Sequence, residues 1–248
     1  MMGLSMHLII IIWGLQQKML LKNIKLVEKN KIFFALESQK KTQKSIKENR
    51  FKDEIITFEI KKKDKIDIFK EDEYPRKNLN IDGLNSLKTV FKENGTVTAG
   101  NSSGLNDGAA ALVLMNRKEA ELRKIEPLVK IVSWATCGVE PSLMGLGPIP
   151  ATNLALKKAD WQINDVDLFE INEAFASQSI AVIKDLKIPK EIVNVNGGSI
   201  ALGHPIGASG ARILVTLIHE MIKQNKSKGC ATLCIGGGMG IAMCIERN

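Results

Sequence analysis

Aromatic side chains are scarce: eight Phe, three Trp and a single Tyr make up 5% of 248 residues. Proteins that grip single strands stack bases on aromatic platforms set in a basic groove. Here the lysines crowd residues 15–77 with few aromatics between them, and no nucleic-acid motif appears. Only four cysteines are present and no secretory segment precedes them. A disulfide scaffold is therefore excluded and a reducing, cytoplasmic setting is expected. Long apolar runs are missing too. His7-Leu8-Ile9-Ile10-Ile11-Ile12-Trp13 falls far short of the roughly 20 residues that a membrane span needs. It also lacks a basic leader and a small-residue cleavage site, so it does not read as a signal peptide.

What remains is a globular composition, 44% hydrophobic, long enough for one large or two small domains. The net charge of +8 reads as a Lys-rich solvated surface, with neither nucleic acid nor membrane expected as partner. Residues 1–32 stand apart: an Ile run, then Lys-rich sequence without a cap or turn signal. A helix is predicted over 35–51. Residues 52–95 are polar and without strong period, an excursion rather than core. From Thr96 the chain turns to glycine-punctuated apolar segments. Helices are predicted at 117–124, 152–159, 174–186 and 209–222, and strands at 127–135, 166–171, 229–235 and 241–246. The 209–222 helix carries Ile213, Leu214, Leu217, Ile218 and Met221 on one stripe. Alternation of strand and helix implies a layered α/β domain.

Three patches carry chemistry: Asn172-Glu173-Ala174-Phe175, then Gly203-His204-Pro205-Ile206-Gly207-Ala208-Ser209-Gly210, then Cys234-Ile235-Gly236-Gly237-Gly238. Asn172 ends a strand and opens a helix. It is either an N-cap or an amide that positions a water or donates to an oxyanion. His204 leads into a helix N-terminus, which disfavours imidazolium and leaves a neutral base or donor. Cys234 ends a strand before three glycines. It is either a buried strand residue beside a tight hairpin or an exposed thiol of lowered pKa. Cys230 and Cys244 read as core, and Cys137 as structural. The loop from Ala99 to Gly108 is either an ordinary turn or a surface for close approach of a ligand arm. An amide, an imidazole and a thiol together suit acyl chemistry on a thioester. A second cysteine in a setting suited to nucleophilic attack is missing.

The stretches TVTAGNSSGLNDGAAA (96–111), IVSWATCGVEP (131–141), GPIPAT (147–152), INEAFA (171–176), NVNGGSIALGHPIGASGARIL (194–214) and TLCIGGGMGIAMCIER (232–247) resemble the thiolase family, specifically its biosynthetic acetyl-CoA acetyltransferases. The resemblance covers residues 33–248. It implies an α/β fold: a thiolase-like C-terminal half with a mixed sheet and helices on both faces over 96–248, plus a partial loop domain over 33–95. It also implies roles. His204 would activate the nucleophile and, with a water held by Asn172, bind the thioester oxygen. Cys234 would exchange the proton on the substrate α-carbon, and the Gly236 N–H would help form a second oxyanion hole. Arg76, Leu87, Phe91, Ala99, Ser103, Ala174, Phe175 and Ile206 match positions lining the coenzyme A site; Gly83 stands where many relatives have Ser. No metal or redox cofactor is implied, and family members are homodimers or homotetramers.

The same resemblance implies a departure. Family members carry the nucleophilic cysteine in a first half upstream of everything matched here, so this chain alone is expected to be inactive. Residues 1–32 fit that picture when read one base out of phase. Met6–Ile12, Ile12–Met19 and Lys25–Ile32 can then encode D-A-F-N-N-Y-H, M-G-I-T-A-E-N and I-S-R-E-E-Q-D, the sequence the family places there. Residues 1–32 are thus expected to be an out-of-frame segment, with the phase returning near Ile32-Phe33-Phe34. Their five lysines against one glutamate account for half of the net charge.

Overall fold

The computed structural model describes residues 28–247 except 64, 92 and 94. Residues 1–27, most of the segment expected to be out of frame, lie outside the described residues. The expected boundary at residue 32 falls within a helix, α1 (Glu28–Lys47). Lys31 and Ala35 are buried on it, with Ile32 packed alongside. The helix begins earlier than its composition predicts because Ile32, Ala35 and Leu36 share one packed face with Leu84, Ala176 and Ile200.

The excursion at 52–95 holds more order than predicted. Strands β1 (Phe58–Lys62) and β2 (Lys65–Phe69) pair antiparallel. The short helix α2 (Ile81–Asn85) follows, with Asn80 Oδ1 accepting from the Gly83 N–H at 2.8 Å. Both strands are almost wholly solvated, which removes the inside–outside alternation that marks a strand in sequence.

The main layer is a four-stranded sheet in the order β3-β6-β5-β4. Its strands are β3 (Lys130–Gly138), β4 (Leu168–Ile171), β5 (Lys228–Ile235) and β6 (Met239–Glu246). β4 and β5 run parallel while the other neighbours are antiparallel, so the sheet is mixed. A parallel pair needs a long crossover. Here it comprises α5 (Ala176–Asp185), α6 (Ser199–Leu202) and α7 (Ser209–Lys223). Two further helices, α3 (Arg117–Leu122) and α4 (Pro148–Ala159), flank β3 in the chain.

Both faces of the sheet are covered. On one, Phe169, Ile171, Cys230, Ala242, Cys244 and Ala135 pack against α4 and α5. On the other, Leu168, Ala231 and Ile245 pack against Ile213, Leu214, Leu217, Ile218 and Met221 of α7. This is the α/β arrangement expected, and the stripe read on α7 is the stripe buried. α4 starts with Pro at its first position, where no N–H is needed, and stops at Asp160 in the left-handed region. It presses onto β6 through two glycines: a Cβ on Gly240 would lie 2.1 Å from the Gly147 carbonyl carbon. Among the described residues no helix is long and apolar enough to cross a membrane.

Candidate active site

Ligands of open α/β sheets bind beyond the carboxyl ends of parallel strands. Asn172 follows the end of β4, its N–H continuing the ladder to Thr232 O at 3.0 Å. Cys234 lies two residues beyond Thr232, at the end of β5. The two expected side chains therefore come from adjacent parallel strands at the same end.

Asn172 is not a helix cap: Phe175 occupies the N-cap position of α5 and makes no side-chain cap. The Asn172 amide is fully buried and turned to the side. Its Oδ1 accepts from Ser199 Oγ at 2.5 Å, and its Nδ2 lies 3.4 Å from His204 Nε2. His204 Nδ1 is 2.5 Å from Ser209 Oγ, which donates to Pro205 O at 3.0 Å. The imidazole is neutral, as expected, its pKa held down to about 4. The chief cause is burial, with the Arg212 guanidinium second, rather than the helix N-terminus.

Cys234 corrects one of the two readings left open. The thiol is half-buried, and loss of solvent pushes its pKa up to about 12, the reverse of an activated thiolate. It packs with Val97, Ala174, Phe175 and Phe91. β5 and β6 meet at Gly236-Gly237-Gly238, where Gly237 and Gly238 take positive φ, so the Gly236 N–H lies two residues past Cys234 in a turn free of side chains. Cys230 and Cys244 are buried partners across β5 and β6, as expected of core.

The loop 99–108 is no ordinary turn, because it stitches the first two patches together. The Asn101 carbonyl accepts from the Ala176 N–H at 2.9 Å, and the Ser103 N–H and hydroxyl both donate to Ala174 O at 3.1 Å. Farther along, Asn106 Oδ1 accepts from the His204 N–H at 3.2 Å. Of the residues expected to line a coenzyme A site, Ser103, Ala174, Phe175 and Phe91 are brought together, the two rings edge to face with centroids 6.2 Å apart. Leu87 stands against Gly100, next to the exposed Ala99. Ile206 is exposed beside His204. Arg76 is exposed on a loop held to α1 by Gln39 and Gln43.

Residue types alone did not reveal the support. Glu173 is buried and accepts from Ser38 Oγ at 2.6 Å, Asn194 Nδ2 at 2.9 Å and the Ile200 N–H at 3.2 Å. It thereby ties α1, β4 and the loop before α6. Gly198 permits this, since a Cβ there would lie 2.3 Å from the Glu173 carboxyl carbon. Ser38 and Asn194 lie 135 and 21 residues from Glu173 in the chain, a separation no local motif reports.

Two family descriptions match this chain end to end: "Thiolase, N-terminal domain" over residues 1–118 and "Thiolase, C-terminal domain" over residues 125–247. The chain belongs to the thiolase family. The N-terminal match takes in residues 1–32, which the sequence reading set apart. Similar proteins include the acetyl-CoA acetyltransferase of Rhizobium meliloti, 57% identical over 86% of this chain and 54% of the relative. The cytosolic acetyl-CoA acetyltransferase of Rattus norvegicus is 51% identical over the same shares. Among solved structures, Bacillus anthracis acetyl-CoA acetyltransferase superposes with a TM-score of 0.93 at 44% identity, covering 95% of this chain and 60% of that one. Human mitochondrial 3-ketoacyl-CoA thiolase in complex with CoA gives 0.88 at 36%, covering 95% and 59%. This thiolase chain thus spans about half the length of the curated relatives it matches.

Proposed function

We propose that this chain carries the proton-transfer and oxyanion half of an acetyl-CoA acetyltransferase site: two acetyl-CoA give acetoacetyl-CoA and coenzyme A, and the reverse. The observation that carries the reading is the meeting of a neutral imidazole and a buried amide at 3.4 Å, beyond the same strand ends as a protonated thiol. His204 Nε2 has the lone pair to take a proton from an attacking thiol. Asn172 holds a water against the thioester oxygen, and the Gly236 N–H serves a second oxygen. Cys234, holding its proton, is an acid for the carbanion released when a 3-ketoacyl thioester is cleaved. In the condensing direction it must first lose that proton. The chemistry calls for no metal or redox cofactor, and a cytoplasmic location suits it.

The acyl carrier is a different cysteine. Cys230 and Cys244 are buried in the sheet, and Cys137 lies within β3, half-buried against the core that α4 and α5 cover. The nucleophile is therefore supplied by a thiolase N-terminal half outside the described residues. Thiolysis of acetoacetyl-CoA is expected when the N-terminal half of a relative is added in trans, and Cys234→Ala is expected to abolish it. Full activity in that variant would sink the role of Cys234. A second reading rests on the same shortage of a nucleophile: an acyl-CoA-binding remnant without turnover, or the product of a frameshifted gene. Calorimetry with coenzyme A separates the two, since heat of binding without thiolysis in trans favours the remnant.

A further inference from the structure

We infer that Ser199 and Ser209 are positioning residues that hold neutral His204 in one tautomer, proton on Nδ1 and lone pair on Nε2. The inference rests on the proposed role of His204 as base and concerns the same site.

The argument is an accounting of protons along one buried line of groups. Two directions of donation have to be compared, because an amide and an imidazole can each be turned around. In the first, Ser199 Oγ–H donates to Asn172 Oδ1 at 2.5 Å, which turns Asn172 Nδ2–H toward His204 Nε2 at 3.4 Å. A donor facing Nε2 requires a lone pair there, so the ring proton sits on Nδ1. Nδ1–H then donates to Ser209 Oγ at 2.5 Å, and the Ser209 hydroxyl proton goes to Pro205 O at 3.0 Å. Every proton has an acceptor and every acceptor facing a donor has a lone pair.

The reverse direction fails at its end. With the amide turned, Asn172 donates to Ser199 Oγ, and the proton of that hydroxyl loses the acceptor it has here. Ser199 is fully buried, so water does not replace that acceptor, and a buried hydroxyl left without a partner is destabilising. Which imidazole nitrogen is protonated follows the hydrogen bond made by the other. Here the two serines fix both ends of the line. Their spacing is set by the fold: Ser199 opens α6, Ser209 opens α7, and His204 hangs between them.

The test is the protonation state of the ring, read by solid-state 15N NMR on the full 248-residue chain labelled at histidine. His204 is identified by the signals lost in His204→Gln. The expected result in the parent chain is Nδ1 protonated and Nε2 bare. Ser209→Ala removes the acceptor of Nδ1–H and is expected to give a mixture of tautomers, and Ser209→Thr, which keeps a hydroxyl, to restore the parent state. Ser199→Ala frees the amide and is expected to give a mixture of tautomers. A parent ring protonated on Nε2, or a Ser209→Ala ring unchanged from the parent, would overturn the inference. Thiolysis in trans is measured beside it: kcat is expected to fall roughly 10- to 100-fold in Ser209→Ala, the scale of a misaligned base, with KM for acetoacetyl-CoA little changed and kcat recovered in Ser209→Thr. The ring signal needs no turnover. A parent protonated on Nδ1 without any thiolysis leaves the inference standing and removes the activity reading.

Discussion

At the scale of single residues the candidate site keeps charge away. His204 is held neutral, Cys234 is held protonated, and the buried Glu170–Arg212 pair is itself compromised. Glu170, on the α7 face of β4, has one carboxylate oxygen 3.7 Å from Arg212 Nη1. That distance is too long for a hydrogen bond, and the oxygen has no other partner. Burial raises its pKa to about 8, against the pull of Arg212. The folded carboxyl therefore binds its proton more tightly than the unfolded one, whose value is 4.5. Between those two values the folded state holds more protons, so raising the pH through this window favours unfolding. His204 acts in the opposite sense, costing stability as pH falls from 6.5 toward 4. The two contributions are separable. Glu170→Gln, which cannot ionise, is expected to lose less melting temperature than the parent between pH 5 and pH 9. Parallel curves from scanning fluorimetry across that range would show that Glu170 titrates normally. Asn172, His204 and Cys234 were legible in the sequence because each sits at a strand end or among glycines. Glu170, Glu173, Ser199 and Ser209 were not, since their meaning comes from partners that only the fold brings near.

At the scale of elements, legibility followed burial pattern. The amphipathic stripe of α7 and the glycine turn between β5 and β6 were read correctly, because one face of each element is buried and chemistry repeats with its period. The β1–β2 hairpin was missed for the converse reason: Phe58, Ile60, Ile66 and Ile68 are exposed on both faces, leaving no contrast to detect. The start of α4 was placed four residues late because Pro148 and Pro150 look like breakers away from a helix N-terminus. The sequence also hid why α4 lies so close to the sheet. The backbones of Gly147 and Gly240 touch, and a Cβ on Gly240 would overlap Gly147. Gly240→Ala is expected to lever α4 off β6 and cost about 1–3 kcal/mol, the range for overpacking. Gly210, early in α7, has nothing within 4 Å of an added Cβ. Gly210→Ala is expected to stabilise by about 0.5–1 kcal/mol through helix propensity and lost unfolded-state freedom. Urea midpoints at constant m measure both. A neutral Gly240→Ala would mean that α4 has room to settle elsewhere.

At the scale of the whole molecule the unusual feature is how much apolar surface is left uncovered. Val113 is 86% exposed, Leu114 68% and Trp134 60%. Among the described residues Val113 and Leu114 lie in a stretch without regular structure, and Trp134 lies on β3 at the edge of the sheet. Leu128 and Leu105 are exposed too, and the β1–β2 hairpin adds Phe58, Ile66 and Ile68. Single exposed hydrophobics are ordinary, but several together mark surface that a partner normally covers. An edge strand with unpaired backbone groups is in addition a template for pairing with another chain. The net charge of +8 opposes such contacts only at low salt, where repulsion extends beyond about 10 Å. The chain purified alone is therefore expected to self-associate, and more so as salt rises. Light scattering after size exclusion at two ionic strengths reads this directly. Trp134→Lys, which puts a charge on the edge strand without touching the site, is expected to shift the population toward monomer. A parent chain that elutes as a single monomer at high salt and melts sharply would mean that these side chains are covered within the chain itself.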